Sequence, residues 1–170
     1  DWVRRLCAIE AVEDIQLRIK DETEYESILK TAKEAQALCQ AANVRLWIND
    51  HWKAAVDAGC FGVHIGQEDL FECLESGELD LIREQNLALG ISTHSFAELS
   101  VALGVRPTYI SLGPVFATSS KNVKFDPQGL ETVSKWRQLI PPDIPLVAIG
   151  GISNAEIASR VKQAGADCVA

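Results

Sequence analysis

Residues 16–20 read QLRIK, two cations and an amide spaced at every second position. Side chains alternate faces along an extended strand, so Gln16, Arg18 and Lys20 share one face and Ile15, Leu17 and Ile19 the other. With the aliphatic face packed on helices, the polar face turns inward. Buried cations without a partner are costly, so such a face needs either a bound anion or a carboxylate from a neighbouring strand.

Two further signals carry carboxylates. Asn49-Asp50 follows an apolar segment at 44–48, and Gly66-Gln67-Glu68-Asp69 follows another at 62–65. If these are consecutive parallel strands, their ends lie about 4.8 Å apart. Paired hard carboxylates beside a bound phosphate suit Mg²⁺, which prefers oxygen ligands and shares its shell with phosphate. The competing roles are structural: Asp50 as the cap of a helix opening at His51, and Asp69 as a turn residue.

Ser92 closes another strand-like segment, after Ala88 and Gly90 on the same face, where small side chains leave room for a ligand. Thr118-Ser119-Ser120-Lys121 lies in a long loop, 113–127, and loops of that length are often functional. Gly150-Gly151 lets backbone N–H groups approach a phosphate, or simply makes a turn. His64 points inward with a strand, as a substrate contact or a core histidine. His51 and His94 read as helix-start residues. No Ser-His-Asp order and no zinc-ligand spacing stands out.

The elements that must position these residues alternate along the chain. Helical patterns cover 2–9, 23–41 (Ile28, Ala32, Ala35 and Leu38 on one face), 51–58, a segment near 79–85, 95–103, 128–140 and 154–163. Strand patterns cover 15–20, 44–48, 62–65, 87–92, 108–112 and 146–149, and another begins near 167. Such alternation implies parallel βαβ units. No G-x-G-x-x-G or Walker A string marks an open doubly wound sheet, whereas polar residues recur at the C-terminal ends of successive strands. The expectation is an α/β fold of the (β/α)₈ TIM-barrel type, lacking the first strand and most of the last. It occupies residues 1–170 as a single incomplete domain.

Composition narrows the partners. The 170 residues are 47% hydrophobic, enough for a core. A net charge of −8 disfavours nucleic acid. No apolar run is long enough for a membrane span, and no secretory leader is visible. The five scattered cysteines read as reduced thiols, which suits the cytoplasm, or an organelle stroma in a eukaryote. A homo-oligomer is compatible with the sequence.

The strings QLRIK (16–20), ND (49–50), GVHIGQED (62–69), GISTH (90–94), GPVFATSSK (113–121) and AIGGI (148–152) together resemble the thiamine phosphate synthase family. The resemblance implies a transferase that couples 4-amino-2-methyl-5-hydroxymethylpyrimidine diphosphate with a hydroxyethylthiazole phosphate or its carboxylated form. It implies that Gln16, Leu17, Arg18, Ile19, Lys20, Asn49, Ser92 and Lys121 bind the pyrimidine diphosphate, with Arg18, Lys20, Lys121 and Ser92 catalytic. Thr118, Ser119, Ser120 and Gly151 would bind the thiazole phosphate, and Asp50 and Asp69 would hold Mg²⁺. One departure is conservative: the family's T-x-T-K is Thr118-Ser119-Ser120-Lys121 here, which keeps the hydroxyl. Another is larger: a Ser-containing segment after the family's last strand lies beyond Ala170. The alternatives are a thiazole tautomerase-like paralogue, an inactive or ligand-binding barrel fragment of a longer fused enzyme, and another phosphate-binding barrel such as a sugar-phosphate epimerase.

Overall fold

A computed structural model describes residues 2–20, 22–118 and 125–170. The chain forms two compact units, residues 1–89 and 90–170. Seven strands and eight helices alternate among the described residues, and the strands pair parallel. The fold is therefore α/β and TIM-barrel-like in its repeat, with seven strands rather than eight.

In the first unit, α1 (Trp2–Cys7) precedes β1 (Asp14–Leu17), α2 (Tyr25–Ala41), β2 (Arg45–Asn49), α3 (Trp52–Asp57) and β3 (Gly62–Ile65). Helices α4 (Gln67–Ser76) and α5 (Glu78–Glu84) complete it. The register runs Gln16 opposite Trp47 and Asn49 opposite His64, so the C-terminal ends of β2 and β3 meet. All four residues of β3 are buried, as expected of a strand covered on both faces. The buried face of α2 is Ile28, Ala32, Ala35 and Cys39, so the fourth position is Cys39 rather than Leu38. Opposite Trp47, Gly62 has no room for a side chain: a Cβ there would lie 2.4 Å from the indole.

Two boundaries differ from expectation where it matters. β1 stops at Leu17, not at residue 20. Its ladder with β2 ends at the Leu17–Ile48 pair, and a strand persists only while its neighbour supplies partners. α4 was not legible as a helix because it opens with three polar residues. Leu70 and Cys73 nonetheless form its buried i, i+3 stripe, and Gly77 at φ 77° ends it in the left-handed conformation that favours glycine.

The second unit opens within β4 (Ala88–Thr93), at Gly90, and continues through α6 (Phe96–Val105), β5 (Tyr109–Leu112), α7 (Gly129–Leu139), β6 (Leu146–Ala148), α8 (Ala155–Gln163) and β7 (Cys168–Val169). Ser95 and Asn154 cap α6 and α8, accepting from the N–H groups of Glu98 and Ile157. The buried Trp136 of α7 donates through its indole N–H to Thr93 Oγ at 3.1 Å, and Thr93 donates to the Ser111 carbonyl at 2.8 Å. That chain satisfies the polar atoms on the outward side of β4 and fixes which residues of β4 face the other way.

Candidate active site

In the first unit, the residues singled out in the sequence collect at the C-terminal ends of three neighbouring strands. Gln16 is exposed in β1 and donates from Nε2 to Asn49 Oδ1 at 2.9 Å. Asn49 ends β2 and donates from Nδ2 to the Asp50 carboxylate. Asp50 has a left-handed backbone at φ 66°, and its N–H donates to the His64 carbonyl of β3 at 2.8 Å. Aspartate tolerates this conformation better than most residues. The N-cap position of α3 falls on His51, so helix capping does not account for Asp50. His64 itself is buried, as are all four residues of β3.

Asp69 is the third residue of α4 rather than part of a loop. Its Oδ2 lies 3.3 Å from where a Cβ on Gly66 would sit, so the glycine leaves space for the carboxylate. An acidic group in the first turn also gains from the helix dipole. Among the described residues no group of three or more His, Cys, Asp and Glu side chains is arranged to hold a metal. The carboxylates in question are Asp50, after β2, and Asp69, in the first turn of α4. Such a pair fits Mg²⁺, which takes one or two carboxylates and fills its remaining positions with water and phosphate oxygens.

Arg18 and Lys20 correct one expectation. Exposure still alternates along 15–20, with Gln16, Arg18 and Lys20 on the accessible side, but both cations stand in solvent past the end of β1. Neither makes an ion pair with another described residue. The penalty for burying an unpaired charge therefore does not apply. What remains is two cations on one exposed edge, next along the chain from Gln16.

In the second unit, Ser92 is half-buried in β4 and stands in register with the buried Ser111 of β5. The space expected beside Gly90 is already filled: a Cβ there would meet the Tyr109 ring at 2.3 Å. This glycine accommodates an aromatic neighbour, not a ligand. Gly150 and Gly151, at φ 95° and 70°, pack against the segment that leads into Thr118. Cβ atoms on them would meet Pro114 at 2.8 Å and the Ala117 carbonyl at 2.7 Å. Val115 and Phe116 donate backbone N–H groups to Ile149 and Gly150 at 2.9 and 3.1 Å. Gly151 and the approach to Thr118 are thus brought together. Ser119, Ser120 and Lys121 lie outside the described residues.

Sequence reasoning missed one feature of this unit. Phe125 stacks on His94, with ring centroids 4.2 Å apart and planes within 7°. Glu98 holds the imidazole through Nδ1 at 3.0 Å and accepts the His94 backbone N–H at 2.6 Å. His94 read only as a helix-start residue, and neither Glu98 nor Phe125 was visible as its partner. A separate cavity of about 520 Å³, lined by Gln36, Arg45, Gly59, Phe61 and Asn86 among others, opens at the opposite, N-terminal ends of β2 and β3. It contains none of the expected site residues.

The whole chain, residues 1–170, matches the family described as thiamine monophosphate synthase. The chain belongs to that family. A thiamine-phosphate synthase from Rhizobium etli is 46% identical over all 170 residues, which span 79% of its length. One from Cronobacter sakazakii is 45% identical over 170 residues and 77% of its own length. Among solved structures, thiamine phosphate pyrophosphorylase from Pyrococcus furiosus superposes with a TM-score of 0.80 at 27% identity, over 98% of this chain and 75% of that one. Membership in the thiamine monophosphate synthase family makes the chain a relative of transferases. It also accounts for residues gathering at strand C-termini, where barrel enzymes build their sites. Among the described residues no helix is long and apolar enough to cross a membrane.

Proposed function

We propose that this chain is a thiamine-phosphate synthase, a transferase that joins a pyrimidine diphosphate to a thiazole phosphate. The observation that carries the reading is similarity over all 170 residues to synthases at 45–46% identity, with Asn49-Asp50 at the end of β2 and Asp69 in the first turn of the helix that follows β3. The bond between the pyrimidine methylene carbon and the diphosphate oxygen breaks, and its electron pair leaves with diphosphate. The thiazole nitrogen lone pair then forms the new C–N bond, and thiamine phosphate and diphosphate are released.

Arg18 and Lys20, exposed and without an ion pair among the described residues, supply positive charge for the leaving diphosphate. Lys121 takes the same role by its place in the family string. Gln16 and Asn49 present amides to the pyrimidine substrate, and the GISTH string of the family gives the Ser92 hydroxyl a role towards that substrate. Leu17 and Ile19 contribute backbone and packing beside Arg18. Gly151, Thr118 and the adjoining Ser119 and Ser120 take the thiazole phosphate. Asp50 and Asp69 hold Mg²⁺. When bound, the ion neutralises charge developing on the departing diphosphate.

The test is to mix both substrates with the chain and Mg²⁺ and to follow diphosphate and thiamine phosphate. Stoichiometric formation of both supports the reading. Isomerisation of a thiazole without coupling identifies a tautomerase instead, and failure of both substrates to react identifies a non-catalytic ligand-binding barrel.

A further inference from the structure

Cys7 and Cys39 are 32 positions apart in the chain, yet their sulfurs lie 3.9 Å from each other. All five cysteines are free thiols. Cys39 is buried on the inner face of α2, while Cys7, at the end of α1, is half-exposed. None of the residues of α1 is buried, so its last turn can shift without emptying a core site. A disulfide needs an S–S distance of about 2.05 Å, so the sulfurs must close by roughly 2 Å.

We propose that Cys7 and Cys39 form an oxidative modification site, at which a peroxide converts the thiol pair into a disulfide. The bond closes residues 7–39 into a loop that contains β1 and the Gln16–Arg18–Lys20 edge. It therefore staples one wall of the strand-end site without touching the chemistry.

The two sulfurs have different roles. Burial, and then the hydrogen bond in which the Cys39 thiol keeps its proton against the Cys7 sulfur, pushes the Cys39 thiol up to about 12, so it is a poor first nucleophile. Cys7 is the one an oxidant can reach. Its thiolate attacks the peroxide: an S–O bond forms, the O–O bond breaks, and hydroxide leaves and is protonated to water. The Cys39 sulfur then attacks the Cys7 sulfenic acid. The S–S bond forms, the S–O bond breaks, and the hydroxide departs with the Cys39 proton as a second water. Two thiols are oxidised and one peroxide is reduced to two waters.

The other thiols provide internal competitors. Cys60 is near enough to Cys39 to influence it electrostatically, and burial pushes its own thiol up to about 11. Cys73 is buried and directed at Glu78 at 3.9 Å. Cys168 is exposed and distant in sequence, and can react on its own.

The experiment treats the intact chain with one equivalent of hydrogen peroxide, blocks remaining thiols and digests with trypsin without reductant. Peptides 6–18 and 34–45 carry Cys7 and Cys39 alone, whereas 54–83 carries Cys60 and Cys73. The expected result is a reducible 6–18/34–45 cross-link. Closing a loop of this size should raise the thermal midpoint by about 5–10 °C, reversed by dithiothreitol. Cys39→Ser should leave Cys7 as a sulfenic acid trappable by dimedone, which the unaltered chain does not accumulate. Failure of that cross-link to form overturns the proposal, whether Cys7 becomes sulfinic acid, Cys39 joins 54–83, or only Cys168 reacts. A cross-link with no rise in midpoint overturns the stapling role. The peptide result on the unaltered chain decides the pairing even if Cys39→Ser folds poorly.

Discussion

Gln16 donates through its side-chain amide to Asn49 Oδ1 at 2.9 Å, and Asn49 passes the orientation on by donating to Asp50. The relay runs from β1 to the end of β2, and it fixes the carboxylate that the proposed metal needs. Groups that orient a metal ligand typically account for 10–100-fold in affinity or rate. Asn49→Ala should therefore lower kcat/KM for the pyrimidine diphosphate by about 10–100-fold. Unfolding in urea should change little, because Gln16 is exposed and Asn49 only half-buried. Steady-state kinetics beside a denaturation curve checks both parts.

Asp50 and Asp69 differ in what else they do. Asp50 occupies a left-handed position at φ 66°, while Asp69 sits in the first turn of α4. Asp50→Asn keeps a residue that tolerates that backbone, so it isolates the charge. It should lower turnover on the order of 100-fold and raise the Mg²⁺ concentration needed for half-maximal rate. Asp69→Asn should do the same, with an added loss of a few tenths of a kcal/mol from the lost helix-dipole interaction. Turnover that keeps its Mg²⁺ dependence in either variant would remove that residue from the metal site.

Arg18 tests whether the exposed cations serve the substrate or the fold. A surface cation without an ion pair among the described residues contributes within about 0.5 kcal/mol to stability. Arg18→Gln should leave the thermal midpoint in place and raise KM for the diphosphate substrate. The increase should shrink as salt is added, since exposed charges are screened. Activity titrated against ionic strength separates this from a structural effect.

Much of the fold was legible because its signals are local. The alternation of elements, the helix starts near residues 95 and 154 and the placing of Asn49-Asp50 at a strand end all follow from spacing within a few residues. What was not legible depends on partners far along the chain. β1 ends at Leu17 because its ladder with β2 ends there, and nothing in QLRIK states that. Burial of Arg18 and Lys20 was inferred from alternation, yet alternation sets only the face, not how deep that face lies. α4 hid behind Gln67-Glu68-Asp69, so Asp69 read as a turn. Gly90 read as ligand space because periodicity names the face but not the neighbour, which is the Tyr109 ring.

Gly90 and Gly62 yield a stability prediction from that last point. Each accepts an aromatic ring from the adjoining strand at the paired position, Tyr109 and Trp47 respectively. Overpacking a filled site costs about 1–3 kcal/mol, and more where a large ring cannot swing away. Gly62→Ala should be the harsher of the two, since its Cβ would also meet the Ala88 carbonyl at 2.6 Å, and backbone does not yield. Gly59→Ala makes a useful contrast. Nothing lies within 4 Å of its Cβ position, and its loss arises from φ 67° alone. Urea midpoints for the three variants should fall in the order Gly59, Gly90, Gly62, with Gly62→Ala lowest.

Tyr25 supplies the pH dependence. Its hydroxyl donates to Asp57 at 2.5 Å, and this hydrogen bond, then burial and the Asp57 charge, hold the phenol up to about 12, from an ordinary 10.0. The folded state binds this proton more tightly than the unfolded chain. The interaction's contribution to stability is therefore complete below pH 10 and is lost as pH rises towards about 12, when the unfolded phenol ionises first. Phenolate absorbance of the folded chain should show Tyr25 titrating near 12. Asp57→Ala removes the acceptor and the negative charge together, and should return that titration towards 10.0. A Tyr25 titration unchanged by Asp57→Ala would mean that burial, not the carboxylate, sets its proton affinity.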